Sequence, residues 1–166
     1  RASETDDIEA MNNLIEWLPK NIPDDDETSI VHGDYRLDNM ILNNNKVMGI
    51  LDWELSTLGH PIADFSYHCL SWRTQEAFWD QSKLKELGIP NEREYMDMYC
   101  ENTGKDLSKN WEFYMAFNMF KIAGILQGIL GRVRDGTASS KHAEDRGMMV
   151  YPLSEAAWNT IKENLL

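Results

Sequence analysis

The sequence is short of cysteine and of positive charge. Its two cysteines, Cys69 and Cys100, form no C-x-x-C pair. They indicate neither a zinc site nor a disulfide framework, and we expect two buried thiols in a reducing compartment. The 16 Lys and Arg residues stand against 28 Asp and Glu, which gives a net charge of −12. Nucleic-acid binding needs basic surface, so it is not expected. The acidity would steer a cationic ligand toward the protein, but it also serves solubility.

Long hydrophobic runs are missing as well. The most apolar stretch, residues 122–130, is far too short to cross a bilayer, so we expect no transmembrane segment. The first residues are polar and acidic and show no secretory signal peptide, and the chain has no initiator Met. These features favour a segment cut from a longer intracellular protein.

The composition is nevertheless that of a folded protein. Hydrophobic residues make up 42% of the 166 positions, with six Trp, six Tyr and five Phe. This length suits one domain, or one large lobe of a domain, with a real core.

Short strands come first in the chain and helices follow. An initial helix carries an apolar stripe from Ile8 to Leu18, with Thr5 or Asp6 as its cap and Pro19 as its end. Strands are expected at 29–31, 39–42 and 46–51, the last two joined by a turn of three asparagines. The pattern after residue 60 is helical. It predicts a first helical residue at Pro61, a capping box of Asn91 and Glu94, a helix end at Gly104, a core helix over 108–134 and a closing helix over 152–166.

The most informative segment is His-Gly-Asp-Tyr-Arg-Leu-Asp-Asn at residues 32–39, followed by Leu-Asp-Trp-Glu at 51–54. Asp34 precedes Asn39 by five residues, and Asp52 lies at the far end of the predicted hairpin. Phosphoryl transfer requires a carboxylate that accepts the proton of the attacking hydroxyl, together with oxygen ligands for Mg²⁺. This order of residues therefore predicts a site that uses ATP and Mg²⁺.

The residues of this segment have separate expected roles. Asp34 is the candidate catalytic base, whose main task is to orient the substrate hydroxyl. His32 is expected to support the loop rather than to titrate. Arg36 could neutralise charge on the transferred phosphoryl group, although a surface Arg would suit the sequence equally well.

Metal binding is expected from the amide and carboxylate side chains. Asn39 and Asp52 offer a neutral carbonyl and a hard carboxylate, which suit Mg²⁺ bound to a nucleotide. Glu54 follows two residues after Asp52. On an extended backbone the two side chains would face the same way, so Glu54 could add a water-mediated contact.

The pattern H-x-D-x-x-x-x-N is shared with protein kinases. The local sequence here, with Gly33 after the His and Asp-Trp-Glu at 52–54, resembles that of the aminoglycoside phosphotransferase-like kinases. That resemblance implies an α+β fold: a protein kinase-like C-terminal lobe, mostly helical, with a small β-hairpin that carries the catalytic and metal-binding loops. It also implies that Asp64 braces the catalytic loop from the following helix. His60 departs from the Gly-Asp-Pro of related sequences.

The segments 51–59, 61–64, 126–129 and 136–139 further resemble one branch of that superfamily, the kinase-like domain fused to acyl-CoA dehydrogenases. The branch implies a hydroxylated acyl-CoA as acceptor, a 4-hydroxyacyl thioester above all, and a fused dehydrogenase domain as partner. A mitochondrial or peroxisomal location is compatible with it. An anionic CoA ester would need a local basic patch, for which Arg132, Arg134 and Lys141 are the candidates.

A kinase needs a second lobe, with a strand Lys that contacts the phosphates. Only one helix and a turn fit before His32, so we expect residues 1–166 to be the C-terminal lobe alone, without the N-terminal lobe and inactive by itself. Two alternatives to the hydroxyacyl-CoA kinase remain. One is a choline- or aminoglycoside-type kinase lobe, and the other is a pseudokinase-like binding module.

Overall fold

The computed structural model describes residues 5–25, 27–74 and 81–162 of the chain. Within them the helices are α1 Glu9–Trp17, α2 Pro61–Cys69, α3 Gln81–Glu86, α4 Glu92–Thr103, α5 Trp111–Arg134, α6 Ala143–Met148 and α7 Val150–Lys162. The strands are β1 Ser29–Val31, β2 Met40–Asn43, β3 Lys46–Ile50 and β4 Thr57–Gly59. The predicted α+β class, mostly helical with a small hairpin, is confirmed.

The chain divides into two compact units. Residues 24–114 form one, which we call the loop unit because it holds the 32–39 segment. Residues 1–23 and 115–166 form the other, the helical unit.

In the loop unit, two antiparallel strand pairs flank the 32–39 segment. β1 pairs with β4, and β2 pairs with β3. The β2–β3 turn is formed by Asn44 and Asn45 at φ of 49° and 59°. Asparagine tolerates this left-handed conformation, which hairpin turns of two residues require. The predicted hairpin is confirmed, whereas β4 was not predicted.

The start of α2 and both ends of α4 lie where their capping residues predict. Pro61 is the first residue of α2. Asn91 and Glu94 form the capping box of α4, and Gly104 ends that helix at φ 71°. α4 buries Met96, whereas Met98 is 50% exposed.

In the helical unit, α1 packs against α7. The core of this unit consists of buried side chains from α1, α5 and α7: Met11, Leu14, Met115, Met119, Ala123, Val150, Ala157 and Ile161. Gly147 of α6 permits a close approach to α5, because a Cβ at this position would lie 3.0 Å from the Cα of Leu130. Within α5, a Cβ at Gly131 would lie 2.8 Å from Cγ2 of Thr5, whereas Gly124 has open space beside it.

The predicted cap of α1 is wrong. The helix begins at Glu9, and its N-cap residue Ile8 makes no side-chain hydrogen bond. Asp6 instead accepts a bidentate pair from Arg134, at 2.8 and 2.6 Å, and a hydrogen bond of 2.5 Å from the Tyr151 hydroxyl. Arg134 therefore already has an anionic partner, which removes it from the basic patch expected for CoA.

Helix α5 starts three residues later than predicted. It has 24 residues and is long and apolar enough, by length and composition alone, to cross a membrane. The apolar segment is thus longer than the sequence suggested. The helix nevertheless has the character of a core helix, since it buries the polar side chains of Asn118 and Gln127 together with apolar ones.

Candidate active site

The loop that follows β1 depends on a glycine. Gly33 has φ 84°, in the region that disfavours side chains. A Cβ here would also lie 2.6 Å from the carbonyl oxygen of Leu55. The segment after β3 therefore passes directly over the start of the 32–39 segment, which brings the two predicted halves of the site together.

His32 joins these two halves. Its side chain is buried, and the Nδ1 atom accepts the backbone N–H of Asp34 at 3.2 Å. The other ring nitrogen, Nε2, then carries the proton and donates it to the carbonyl oxygen of Leu51 at 2.7 Å. The ring also contacts that of Trp53, with centroids 4.7 Å apart. A ring with one nitrogen accepting from the loop and the other bonded to the segment after β3 fits the support role expected of it.

Asp64, on the first turn of α2, accepts two backbone hydrogen bonds from the loop. Its Oδ1 atom accepts the N–H of Gly33 at 2.8 Å, and its Oδ2 atom accepts the N–H of His32. This is the geometry that a brace of the loop requires.

The carboxylate of Asp34 is held on both oxygens. Oδ1 accepts the hydroxyl of Tyr67 at 2.6 Å. Oδ2 accepts Nδ2 of Asn39 at 2.9 Å, and the Arg36 guanidinium lies 3.4 Å from the same oxygen. Partial burial acts to raise the pKa of Asp34. The hydrogen bonds from Tyr67 and Asn39 and the charge of Arg36 outweigh it, so the pKa is lowered and the group is an anion at neutral pH.

Asn39 and Asp52 both lie at the base of the hairpin, one before β2 and the other after β3. The backbone N–H of Leu51 donates to the carbonyl of Asn39 at 2.8 Å, and Asp52 follows Leu51 directly in the sequence. Asp52 is exposed and adopts a left-handed conformation at φ 63°.

These two residues fit Mg²⁺. Nδ2 of Asn39 donates both to the backbone carbonyl and to the carboxylate of Asp34, so the amide oxygen points away from Asp34. One amide oxygen and one exposed carboxylate match the usual way Mg²⁺ is bound, through few protein oxygens and the phosphates of the substrate. In the described ranges no group of three His, Cys, Asp or Glu could hold a metal by itself. Water molecules or the phosphates of a substrate would complete the coordination.

The geometric reason given for Glu54 is wrong. Asp52 is left-handed and residues 53–55 form a 3₁₀ turn, so this backbone is not extended and the two carboxylates are not arranged by strand alternation. Arg36 is a half-exposed side chain that contacts the carboxylates of both Asp34 and Asp38. It lies beside the candidate base, where a charge-neutralising role requires it.

His60 caps α2. Its Nδ1 atom accepts the backbone N–H of Ile62 at 3.2 Å, and its ring stacks on Tyr114 at a centroid distance of 5.1 Å. Its Nε2 atom lies 3.2 Å from Oδ2 of Asp25. The histidine that departs from the Gly-Asp-Pro pattern thus caps α2 and packs inside the loop unit.

Sequence reasoning missed Tyr67. The available signal was its spacing, because Tyr67 follows Asp64 by three residues on a predicted helix and so shares its face. Burial, helped by the neighbouring Asp34, raises the pKa of Tyr67 to about 12, and the hydroxyl therefore remains a donor at neutral pH.

Known proteins are similar to this chain in fold and sequence. A solved structure of a provisionally assigned aminoglycoside phosphotransferase from Ralstonia eutropha JMP134 superimposes with a TM-score of 0.88 at 49% identity, over 98% of this chain and 51% of that one. Acyl-CoA dehydrogenase family member 10 of Mus musculus is 45% identical over 96% of this chain and 16% of its own length. Acyl-CoA dehydrogenase family member 11 of Homo sapiens is 40% identical over 93% of this chain and 21% of its own length.

The chain thus spans about a fifth of these two curated relatives and half of the solved neighbour. The phosphotransferase enzyme family matches residues 1–99, which include the whole of the 32–39 segment, Asp52 and the helix that carries Asp64. With the fold of a phosphotransferase and this match over more than half its length, the chain belongs to the phosphotransferase enzyme family.

Proposed function

We propose that this chain is the C-terminal, catalytic lobe of an ATP-dependent kinase that transfers a γ-phosphoryl group to the hydroxyl of a small molecule. The observation that carries the proposal is the Asp34 carboxylate, held by Asn39 and Tyr67, beside a hairpin at whose base the backbone of Asn39 pairs with that of Leu51, the residue before Asp52.

In the proposed reaction the acceptor hydroxyl lies against Asp34. Its oxygen forms the new bond to phosphorus, the bond from phosphorus to the oxygen of the departing ADP breaks, and the hydroxyl proton passes to the Asp34 carboxylate. Since phosphoryl transfer has a loose transition state, a carboxylate of lowered pKa suffices, because its main contribution is to orient the hydroxyl.

Three further side chains contribute around this carboxylate. Asn39 and Asp52 would hold Mg²⁺, which when bound supplies neutralisation of the phosphate charge. Arg36, 3.4 Å from Asp34, is placed to contact the transferred group. Glu54 remains a proposal only as a water-mediated contact.

The finer proposal concerns the acceptor. Two curated relatives are named as acyl-CoA dehydrogenase family members. A kinase lobe within such a protein would phosphorylate a hydroxylated acyl-CoA, a 4-hydroxyacyl thioester above all, and a fused dehydrogenase domain would be its partner.

A cationic alcohol is the second candidate acceptor. The net charge of −12 favours it, as does the name of the solved neighbour. The third reading, a binding module without activity, is less favoured because Asp34, Asn39 and Asp52 are all present.

The test uses the full-length protein. ATP consumption and the phosphoester product are measured with a 4-hydroxyacyl-CoA, choline and an aminoglycoside, for the wild type, Asp34→Asn and the control Asp97→Asn. Asp97 is a half-exposed carboxylate on α4, paired with Arg93. We expect transfer to one acceptor class, lowered by orders of magnitude in Asp34→Asn and unchanged in Asp97→Asn. Near wild-type single-turnover rates in Asp34→Asn would remove Asp34 as the base.

A further inference from the structure

We propose that Tyr67 is a positioning residue for the catalytic carboxylate of Asp34. It would fix the rotation of this carboxylate so that the remaining lone pairs face the acceptor hydroxyl. The inference rests on the proposed function, because Asp34 is the group that would receive the proton of the acceptor.

The Asp34 carboxylate needs two donors to be fixed. Rotation about the last side-chain bond of an aspartate is soft, with a broad two-fold preference. Asn39 holds Oδ2 at 2.9 Å, and a donor on one oxygen alone leaves the group free to tilt about that bond. The 2.6 Å hydrogen bond from Tyr67 holds the other oxygen, Oδ1. The exposed Arg36 is a poor substitute, since its longer contact reaches the oxygen that Asn39 already occupies.

The two donors come from different elements. Asn39 lies at the end of the short 3₁₀ turn before β2, whereas Tyr67 lies on α2. A regular element positions a site more accurately than a loop does. α2 is itself anchored, because Ile62, Phe65 and Cys69 on it are buried.

Helix α2 thereby acts on the catalytic loop twice. Asp64 binds the loop backbone at His32 and Gly33, and Tyr67, three residues further on, binds the side chain of Asp34. Both contacts come from one face of α2, so the same helix fixes the positions of the loop backbone and of the carboxylate. The raised pKa of Tyr67 keeps the hydroxyl protonated and able to donate.

The test compares Tyr67→Phe with Tyr95→Phe in the full-length protein. Both changes remove one hydroxyl from a partly buried tyrosine; the ring of Tyr95 packs on Phe65, His68 and Trp72, and Tyr95 makes no hydrogen bond to Asp34, both of whose oxygens have the partners given above. A hydrogen bond to a charged group supports an effect of about tenfold or more. We expect kcat to fall by that factor in Tyr67→Phe while the KM for ATP and the melting temperature change little, and we expect Tyr95→Phe to behave as wild type.

A second measurement does not depend on turnover. With 3-fluorotyrosine at position 67, the ¹⁹F chemical shift should change on Asp34→Asn, whereas a label at position 95 should not respond. An unchanged shift at position 67 would overturn the inference even if Tyr67→Phe proved unable to fold.

The outcomes separate the two proposals. Wild-type kcat in Tyr67→Phe, beside an inactive Asp34→Asn, overturns the role of Tyr67 and leaves the kinase function standing. Absence of transfer by the wild type to any acceptor class overturns the proposed function, and the positioning role with it.

Discussion

Asp64 accepts the backbone N–H of Gly33 at 2.8 Å, across 31 positions of sequence. The second oxygen of the same carboxylate accepts the N–H of His32. Because the loop is not part of a strand pair at this point, this side chain accepts the backbone hydrogen bonds that a neighbouring strand does not accept here.

Asp64→Asn should therefore weaken both folding and catalysis. The amide presents its own N–H₂ to one of the two backbone donors, so we expect a loss of about 1–3 kcal/mol in the free energy of unfolding. We also expect a lower kcat, because the loop that carries Asp34 loses its register. Urea denaturation measures the first effect and single-turnover kinetics the second. An unchanged denaturation midpoint, with Asp97→Asn as control, would contradict the brace.

Asp52→Asn should remove the Mg²⁺ dependence of nucleotide binding. Asparagine tolerates the left-handed backbone at this position, so the change tests the charge rather than the fold. Calorimetry with ATP, in Mg²⁺ and in EDTA, should give two similar weak affinities for this variant and clearly different ones for the wild type. The exposed Asp38 provides the matched control, Asp38→Asn, which should keep the wild-type difference. A full Mg²⁺ effect in Asp52→Asn would contradict its assignment as a ligand.

Asp6→Asn should lower the melting temperature at neutral pH. The hydrogen bonds from Arg134 and Tyr151, larger in effect than desolvation, lower the pKa of Asp6 from 3.8. A lowered pKa in the folded state means that the stabilisation is present above the unfolded value and is lost as the pH falls through the folded value. The difference in melting temperature between wild type and variant should thus be full at pH 7 and shrink below about pH 4. A difference that is constant with pH would show that the charge of Asp6 does not contribute.

Residues 1–166 alone should fold but transfer no phosphoryl group, because in-line transfer requires the nucleotide to be held from both sides. The isolated segment should also self-associate through the β1–β4 pair. There Ile30 and Leu58 are direct cross-strand partners, 71% and 72% exposed. Sedimentation should show less association for Leu58→Thr than for Leu87→Thr, whose leucine is equally exposed at 71%. Turnover equal to that of the full-length protein would contradict the expectation that residues 1–166 are the C-terminal lobe alone.

Local signals in the sequence were sufficient where the structure is local. The hairpin, the start of α2 and both ends of α4 follow from asparagine, proline and glycine acting on their own backbone, and each was predicted. The spacing of Asp34, Asn39 and Asp52 was sufficient to place them around one hairpin, since a short turn leaves few other arrangements.

Long-range partners explain what was missed. β4 has three residues and forms a strand only because it pairs with β1, which lies 28 positions earlier in the sequence. Asp6 has the chemistry of a helix cap, but Arg134 and Tyr151 offer it stronger partners from more than 120 positions away. An extended backbone was wrongly expected between Asp52 and Glu54. Asp52 is left-handed, and no glycine next to it in the sequence indicated that conformation.

The aspartate at position 52 serves the proposed activity but lowers the stability of the fold. At φ 63° an aspartate costs more free energy than a glycine would, by roughly 1 kcal/mol. Selection for thermal tolerance alone would thus favour Asp52→Gly, which relieves the backbone and removes the carboxylate in one step. A lineage that had lost the need for phosphoryl transfer would be expected to drift toward glycine here, so the residue at this position serves as an evolutionary marker of whether a homologous lobe still works as an enzyme.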